Sequence, residues 1–157
     1  MRRLTHFEGV VRRGGPQDVR FLRDMLHHAY YWKERQPGAG PGPVQLYVKA
    51  WGRQGDTAVI ALVDGFPVGA AWFRLFSATS PGYGFVDEQT PELAIAVVPN
   101  ARGKGVGRAL INGVYEQAKL AGGSRVYWQT HETNHTAMQL YDKVAERSGF
   151  VVYRKLL

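Results

Sequence analysis

The feature that most constrains this chain is an unbroken apolar run, Leu93–Val98, halted by Pro99 and followed at once by a glycine-rich basic loop. A run without polar alternation reads as a strand covered on both faces, which requires a layer of structure on each side of its sheet. The loop, Arg102-Gly103-Lys104-Gly105-Val106-Gly107-Arg108, leads into Leu110, Ile111, Val114, Ala118 and Ala121, one face of a helix that ends at Gly122-Gly123. Strand, glycine loop and helix in succession bring free backbone N–H groups and the positive end of a helix together. Arg102, Lys104 and Arg108 add full charges at the same spot, so the loop reads as a pyrophosphate site. A bare helix-capping turn needs neither three glycines nor three cations.

Two familiar phosphate loops do not fit. No Gly-x-x-x-x-Gly-Lys-Ser/Thr string occurs. The spacing Gly103-x-Gly105-x-Gly107 is not Gly-x-Gly-x-x-Gly, and it lies far from the first strand, where a dinucleotide fingerprint belongs.

The remaining punctuation sets the order of elements. Phe7–Arg13 reads as a strand ending at Gly14-Gly15-Pro16, and Pro16-Gln17-Asp18 opens a helix with Leu22, Met25, Leu26, Ala29 and Tyr30 on one face. Gln36–Pro43 is a Pro/Gly loop. Ala58–Val63 and Pro67–Phe76 form a hairpin about Asp64-Gly65. Ser77–Pro91 is a long loop of the kind that often carries function. Arg125–Thr130 reads as a strand; Ala137, Leu140, Tyr141, Val144 and Ala145 mark a last helix stopped at Gly149; Phe150–Leu156 closes as a strand. Early hairpins and late strand–helix–strand units predict an α/β (α+β) fold with a mixed sheet and helices on both faces.

The chain has 157 residues, enough for one domain with its own core, and residues 1–157 are expected to form a single unit. With no cysteine, thiolate metal sites, disulfides and a cysteine nucleophile are excluded. No apolar run approaches the ~18 residues of a membrane-spanning helix. The N-terminus lacks the apolar stretch of a signal peptide, and a cytoplasmic location is expected. The formal charge of +7 favours an anionic partner, but the basic residues are scattered, against a nucleic-acid stripe.

Arg102-x-x-Gly105-x-Gly107 resembles the Arg/Gln-x-x-Gly-x-Gly/Ala signature of the GNAT superfamily of acyl-CoA-dependent N-acetyltransferases. Asn134-x-x-Ala137-x-x-Leu140-Tyr141-x-Lys143, then Gly149-Phe150, is similar to that family's C-terminal half. The resemblance is strong over residues ~92–155 and implies a mostly antiparallel central sheet splayed in the middle. Acetyl-CoA would lie in the splay, its pantetheine arm paired with the main chain of Ile95, Ala96 and Val97. Residues Arg102, Gly103, Lys104, Gly105, Val106, Gly107 and Arg108 would wrap the pyrophosphate.

Other roles follow by analogy with the family. Asn134 is either an N-cap, its usual structural use, or a hydrogen-bond partner of the cofactor arm. Tyr141, two turns along the same face, is the family-like acid that protonates the leaving thiolate; otherwise it is a core tyrosine. The acceptor amine must lose a proton before it can attack. Glu92 is the family-like base, with Glu88 and Asp87 as alternatives; all three instead attract a cationic substrate if none is the base. Gln129 stands where some relatives carry a glutamate, which weakens a ribosomal-protein acetyltransferase reading. The implied activity is acetyl transfer to a primary amine of a small molecule or peptide by direct attack, the protein acting as a monomer or homodimer. A catalytically silent acyl-CoA sensor of the same fold is the alternative.

His131-Glu132-Thr133-Asn134-His135 spells His-Glu-x-x-His. That zinc motif needs a continuous helix to put both imidazoles on one face, and here the first histidine follows directly on a strand. No metal is expected. Tyr30, Tyr31, Trp32, Trp72 and Tyr83 offer aromatic surface for an acceptor pocket.

Overall fold

The computed structural model describes residues 7–30, 42, 46–153 and 155–157, with the Tyr30 side chain excluded. Most of the Gln36–Pro43 loop and the aromatics Tyr31 and Trp32 therefore lie outside the described residues.

Four antiparallel strands lie in chain order: β1 (Val10–Arg13), β2 (Thr57–Val63), β3 (Phe66–Arg74) and β4 (Glu92–Val97). Asp64 (φ 51°) and Gly65 (φ 82°) turn β2 into β3, the paired positive angles of a tight hairpin. Helix α1 (Val19–Tyr30) enters through a 3-10 turn at Pro16–Asp18; α2 (Val106–Leu120) and α3 (His135–Val144) follow β4.

Alternate strand residues feed two cores. Ala58, Ile60, Ala70, Trp72, Ala94 and Ala96 pack with Leu22, Met25 and Leu26 of α1 on one face. Val59, Ala61, Ala71, Phe73 and Leu93 pack with Val106, Leu110 and Val114 of α2 on the other. Burial on both faces is what the uninterrupted apolar strands demanded.

A buried ion pair holds a helical turn at residues 46–50 against β3. Arg74, 0% exposed, grips Asp56 through Nε (2.9 Å) and Nη2 (2.9 Å), and its Nη1 donates to the carbonyls of Leu46 (3.0 Å) and Lys49 (2.9 Å). Trp72 Nε1 donates to the Tyr47 carbonyl at 3.1 Å.

Two predicted strands do not form. Arg125–Thr130 meets the sheet at one parallel bridge, Glu92 with Tyr127, where Leu93 N–H donates to the Tyr127 carbonyl (2.7 Å) and Tyr127 N–H to that of Pro91 (3.0 Å). Pairing stops there, so β4 is the edge of the four-stranded sheet. Arg125 turns instead to the 77–91 loop, bonding Asp87 (3.0 Å) and Thr90 (3.3 Å). Phe150–Leu156 has strand-forming residues, but those of them that are described form no regular structure, and each described residue from Glu146 onward is exposed. A β-branched segment becomes a strand only where an edge accepts it. The first strand is likewise shorter than the expected Phe7–Arg13.

Candidate active site

The glycine loop opens α2 as expected. Gly103 (φ 78°) and Gly105 (φ 82°) lie in the left-handed region, which a side chain resists. The first helical bond is Ala109 N–H to the Gly105 carbonyl (3.1 Å). The amides of Val106, Gly107 and Arg108 therefore point out of the helix end, where the dipole is positive. Gly107 serves a second purpose, since a Cβ there would meet Leu140 of α3 at 2.9 Å. Lys104 and Arg108 are exposed beside these amides. Arg102 is partly committed, its Nε donating to the Val97 carbonyl at 3.1 Å.

Register decides which backbone groups β4 offers. Val98 N–H bonds the Val68 carbonyl (2.9 Å), whereas Leu93 N–H points the other way, to Tyr127. Even-numbered residues thus face β3 and odd-numbered ones face the open edge. Of the three residues expected to contact the pantetheine arm, Ile95 and Val97 present their main chain outward. Ala96, paired with Ala70, faces inward, which removes its amide and carbonyl from that role. The edge is open because the Tyr127 segment leaves it after one bridge.

Tyr141 lies on α3 with its ring edge-on to Trp128 (centroids 5.4 Å apart, 81° between planes). Burial pushes its phenol up to about 12, so it stays protonated at neutral pH. With Trp128, Thr130 and Met138 it lines a cavity of about 600 Å³ between α2, α3 and the 123–130 segment. Asn134 occupies the N-cap position of α3, but its side chain caps nothing; Nδ2 donates to Thr130 Oγ1 at 3.3 Å.

Glu92 opens β4 on the α1 face and is 2% exposed. Its Oε1 accepts from Gly84 N–H (2.7 Å) and its Oε2 from the Tyr47 hydroxyl. Desolvation raises its pKa above the usual carboxylate range, and the Tyr47 and Gly84 hydrogen bonds oppose that rise. The two alternatives sit in the exposed loop. Glu88 accepts from Ala78 N–H (3.2 Å). Asp87 is held low by Thr90 first, then by backbone amides and Arg125, which makes it a poor proton acceptor. Sequence reasoning missed Tyr47, which follows the Pro/Gly segment in no periodic pattern; only the tertiary contact marks it.

The His-Glu-x-x-His string is broken by the helix start at His135, and His131 Nδ1 instead contacts Thr133 Oγ1 at 2.8 Å. Among the described residues no group of three His, Asp or Glu is arranged to hold a metal.

An open strand edge thus leads into a cationic glycine loop at a helix N-terminus, an arrangement whose outward amides and positive charge suit an anionic group. Residues 21–145 match the Acetyltransferase (GNAT) family, and the chain belongs to that family. It is 48% identical over 59 residues to the D-amino-acid N-acetyltransferase HPA3 of Saccharomyces cerevisiae, covering 38% of this chain and 37% of the relative. It is 29% identical over 160 residues to the mycothiol acetyltransferase of Catenulispora acidiphila, covering 94% of this chain and 45% of the relative. The chain thus spans less than half the length of either curated relative. Its fold is similar to that of aminoglycoside N-acetyltransferase AAC(6')-Iy solved with CoA, with a TM-score of 0.66 at 18% identity, covering 95% of each chain. Among the described residues, no helix is long and apolar enough to cross a membrane.

Proposed function

We propose that this chain is an acetyl-CoA-dependent N-acetyltransferase acting as one catalytic unit on a primary amine of a small molecule or peptide. The observation that carries this is the open edge of β4, where Ile95 turns its main chain outward and Val97 its N–H, with the Val97 carbonyl held by Arg102, running into the outward amides of Val106–Arg108. Coenzyme A has the matching parts: an amide-bearing arm to pair with a strand edge and a pyrophosphate for the loop. Gly103, Lys104, Gly105 and Arg108 complete the phosphate cradle. Arg102 helps fix it by holding the last strand carbonyl, and Asn134 is available to the arm.

In this reading Glu92 takes the proton from the acceptor ammonium. A raised pKa suits that task, because a more basic carboxylate accepts a proton with less driving force lost. The neutral amine attacks the thioester carbonyl, and N–H groups of the β4 edge stabilise the oxyanion. The carbon–sulfur bond then breaks, the nitrogen gives its second proton to solvent, and Tyr141 donates a hydrogen bond to the sulfur, which leaves as the thiolate and takes a proton from water. A phenol near 12 is a weaker acid than a thiol near ~8.5, so Tyr141 acts by hydrogen bonding as charge develops, with no prior proton transfer. Glu88 steers the cationic acceptor from the loop. Use of acetyl-CoA points to a cytoplasmic setting.

The reading is tested by melting the protein with acetyl-CoA, then screening primary amines (D-amino acids, amino sugars, aminoglycosides, polyamines and N-terminal peptides) for release of the free thiol. A raised Tm and amine-dependent thiol release are expected. A raised Tm with no turnover on any amine would leave a cofactor-binding sensor, and no shift at all would refute the site.

A further inference from the structure

The Glu92 carboxylate belongs to a buried polar cluster wider than the base reading requires. The Tyr47 hydroxyl donates to Oε2 and accepts the Tyr83 N–H at 3.0 Å, while Gly84 N–H donates to Oε1 at 2.7 Å. The Tyr83 ring leans on that of Tyr47 (5.7 Å, 56°), and Phe76 meets Tyr47 edge-on at 5.3 Å. Little room is left for a side chain at either end of the Gly82-Tyr83-Gly84 turn, least at Gly82. A Cβ would come within 2.8 Å of Oε1 at Gly82 and within 3.2 Å at Gly84. The turn of the long loop thus closes directly over the carboxylate, and Tyr47 touches both.

We infer that Tyr47 is a positioning residue: its hydroxyl orients the Glu92 carboxylate and locks the Tyr83–Gly84 turn of the acceptor-side loop to it. The inference rests on the reading of Glu92 as the base. A carboxylate has about four acceptor positions; the turn and Tyr47 take one on each oxygen, leaving a lone pair on each for the incoming proton. Without the Tyr47 hydroxyl the carboxylate keeps only the Gly84 amide of these two donors, and the turn loses the hydrogen bond from Tyr83 N–H. The turn at 46–50 is itself fixed by Arg74 and Trp72, so Tyr47 is held by the sheet and not by the loop it organises.

Among the described residues, the ionisable groups of the elements packed near Glu92 are these. Arg74 of β3 is its cross-strand partner but is committed to Asp56. Tyr127 is its bridge partner, and Tyr83, Asp87 and Glu88 come from the loop. Helix α1 presents Leu22, Met25, Leu26 and Ala29 to this face.

The test is carbon-13 carboxyl titration of Glu92 in the wild type and in Tyr47→Phe, with Glu92→Gln for assignment, and amide exchange at Tyr83 and Gly84. Tyr47→Phe keeps the ring contacts and removes one donor to the charged form, so the Glu92 midpoint should move upward by about one pH unit. Exchange at Tyr83 and Gly84 should quicken at least tenfold. With acetyl-CoA and an amine that the wild type turns over, the acidic limb of kcat/KM should move upward by the same amount. An unmoved midpoint with unmoved exchange would overturn the inference, whatever happens to Tm. If Glu92→Gln keeps the acidic limb, the base reading falls and with it the catalytic role of Tyr47. If Glu92→Gln loses the limb while Tyr47→Phe leaves it in place, the base stands and Tyr47 is merely packing. Should Tyr47→Phe fold poorly, the wild type still decides. Protection of the Tyr83 amide, which the Tyr47 hydroxyl accepts, should fall as pH drops through the Glu92 midpoint, and flat protection would refute the coupling through Tyr47.

Discussion

Replacing Tyr141 with phenylalanine separates chemistry from packing more sharply than any other change. Among the described residues the Tyr141 hydroxyl has no hydrogen-bond partner, so its loss forfeits none of the ~1 kcal/mol that a buried hydrogen bond contributes. The ring and its edge-on contact with Trp128 at 5.4 Å remain, preserving the ~0.5–1.5 kcal/mol of such a pair. The change in unfolding free energy should therefore stay within about 0.5 kcal/mol. Turnover is a different matter. Losing a donor to the departing sulfur should lower kcat by roughly 10²-fold or more, equivalent to about 2.7 kcal/mol of barrier. The assay is one purified variant carried through urea unfolding, acetyl-CoA-dependent melting and thiol release. Intact kcat would refute the acid role. A stability loss near 1 kcal/mol would instead show a hydrogen bond to the phenol and return Tyr141 to the core.

Four further outcomes are expected. Gly105→Val places a β-branched residue at φ 82°, costing about 1–2 kcal/mol, and should abolish the acetyl-CoA-induced rise in Tm; a retained rise would move the phosphate site elsewhere. Arg74→Met leaves Asp56, whose side chain is 1% exposed, without its partner, and should destabilise by ~3–5 kcal/mol in urea unfolding; a loss under about 1 kcal/mol would mean that the pair is not buried as described. Glu92→Gln should depress kcat, whereas Glu88→Gln should mainly raise KM for a cationic amine, and the reverse pattern would transfer the base role to Glu88. Because burial raises the Glu92 pKa in the folded state, its contribution to stability should decline as pH rises from about 4.3 through the folded value. Glu92→Gln should flatten that slope.

Local rules were enough for everything carried by contiguous residues. The apolar run of β4, the stop at Pro99, the glycines with positive φ and the basic residues beside them lie within sixteen positions, Leu93 to Arg108. Each acts through its own backbone preference or charge, so strand, loop and helix N-terminus follow from the order of letters alone. The Asp64-Gly65 hairpin and the helical face of α2 are legible for the same reason. Asn134 shows the limit, since its position before α3 was predictable but the bond to Thr130 in place of a cap was not.

What required the tertiary structure is everything that depends on which strand edge meets which segment. Whether Ile95 or Ala96 faces the open edge is a matter of register, and a strand's own residues do not encode its partner. Arg125–Thr130 and Phe150–Leu156 carry strand composition, yet the first pairs at a single bridge and the described residues of the second at none, because pairing needs a complementary edge supplied from elsewhere. Tyr47 and Glu92 lie 45 positions apart and share no pattern. Their contact exists because the Arg74–Asp56 pair pins the 46–50 turn on the sheet face where Glu92 emerges, and burial there raises the carboxylate's pKa by a desolvation that no string of residues records.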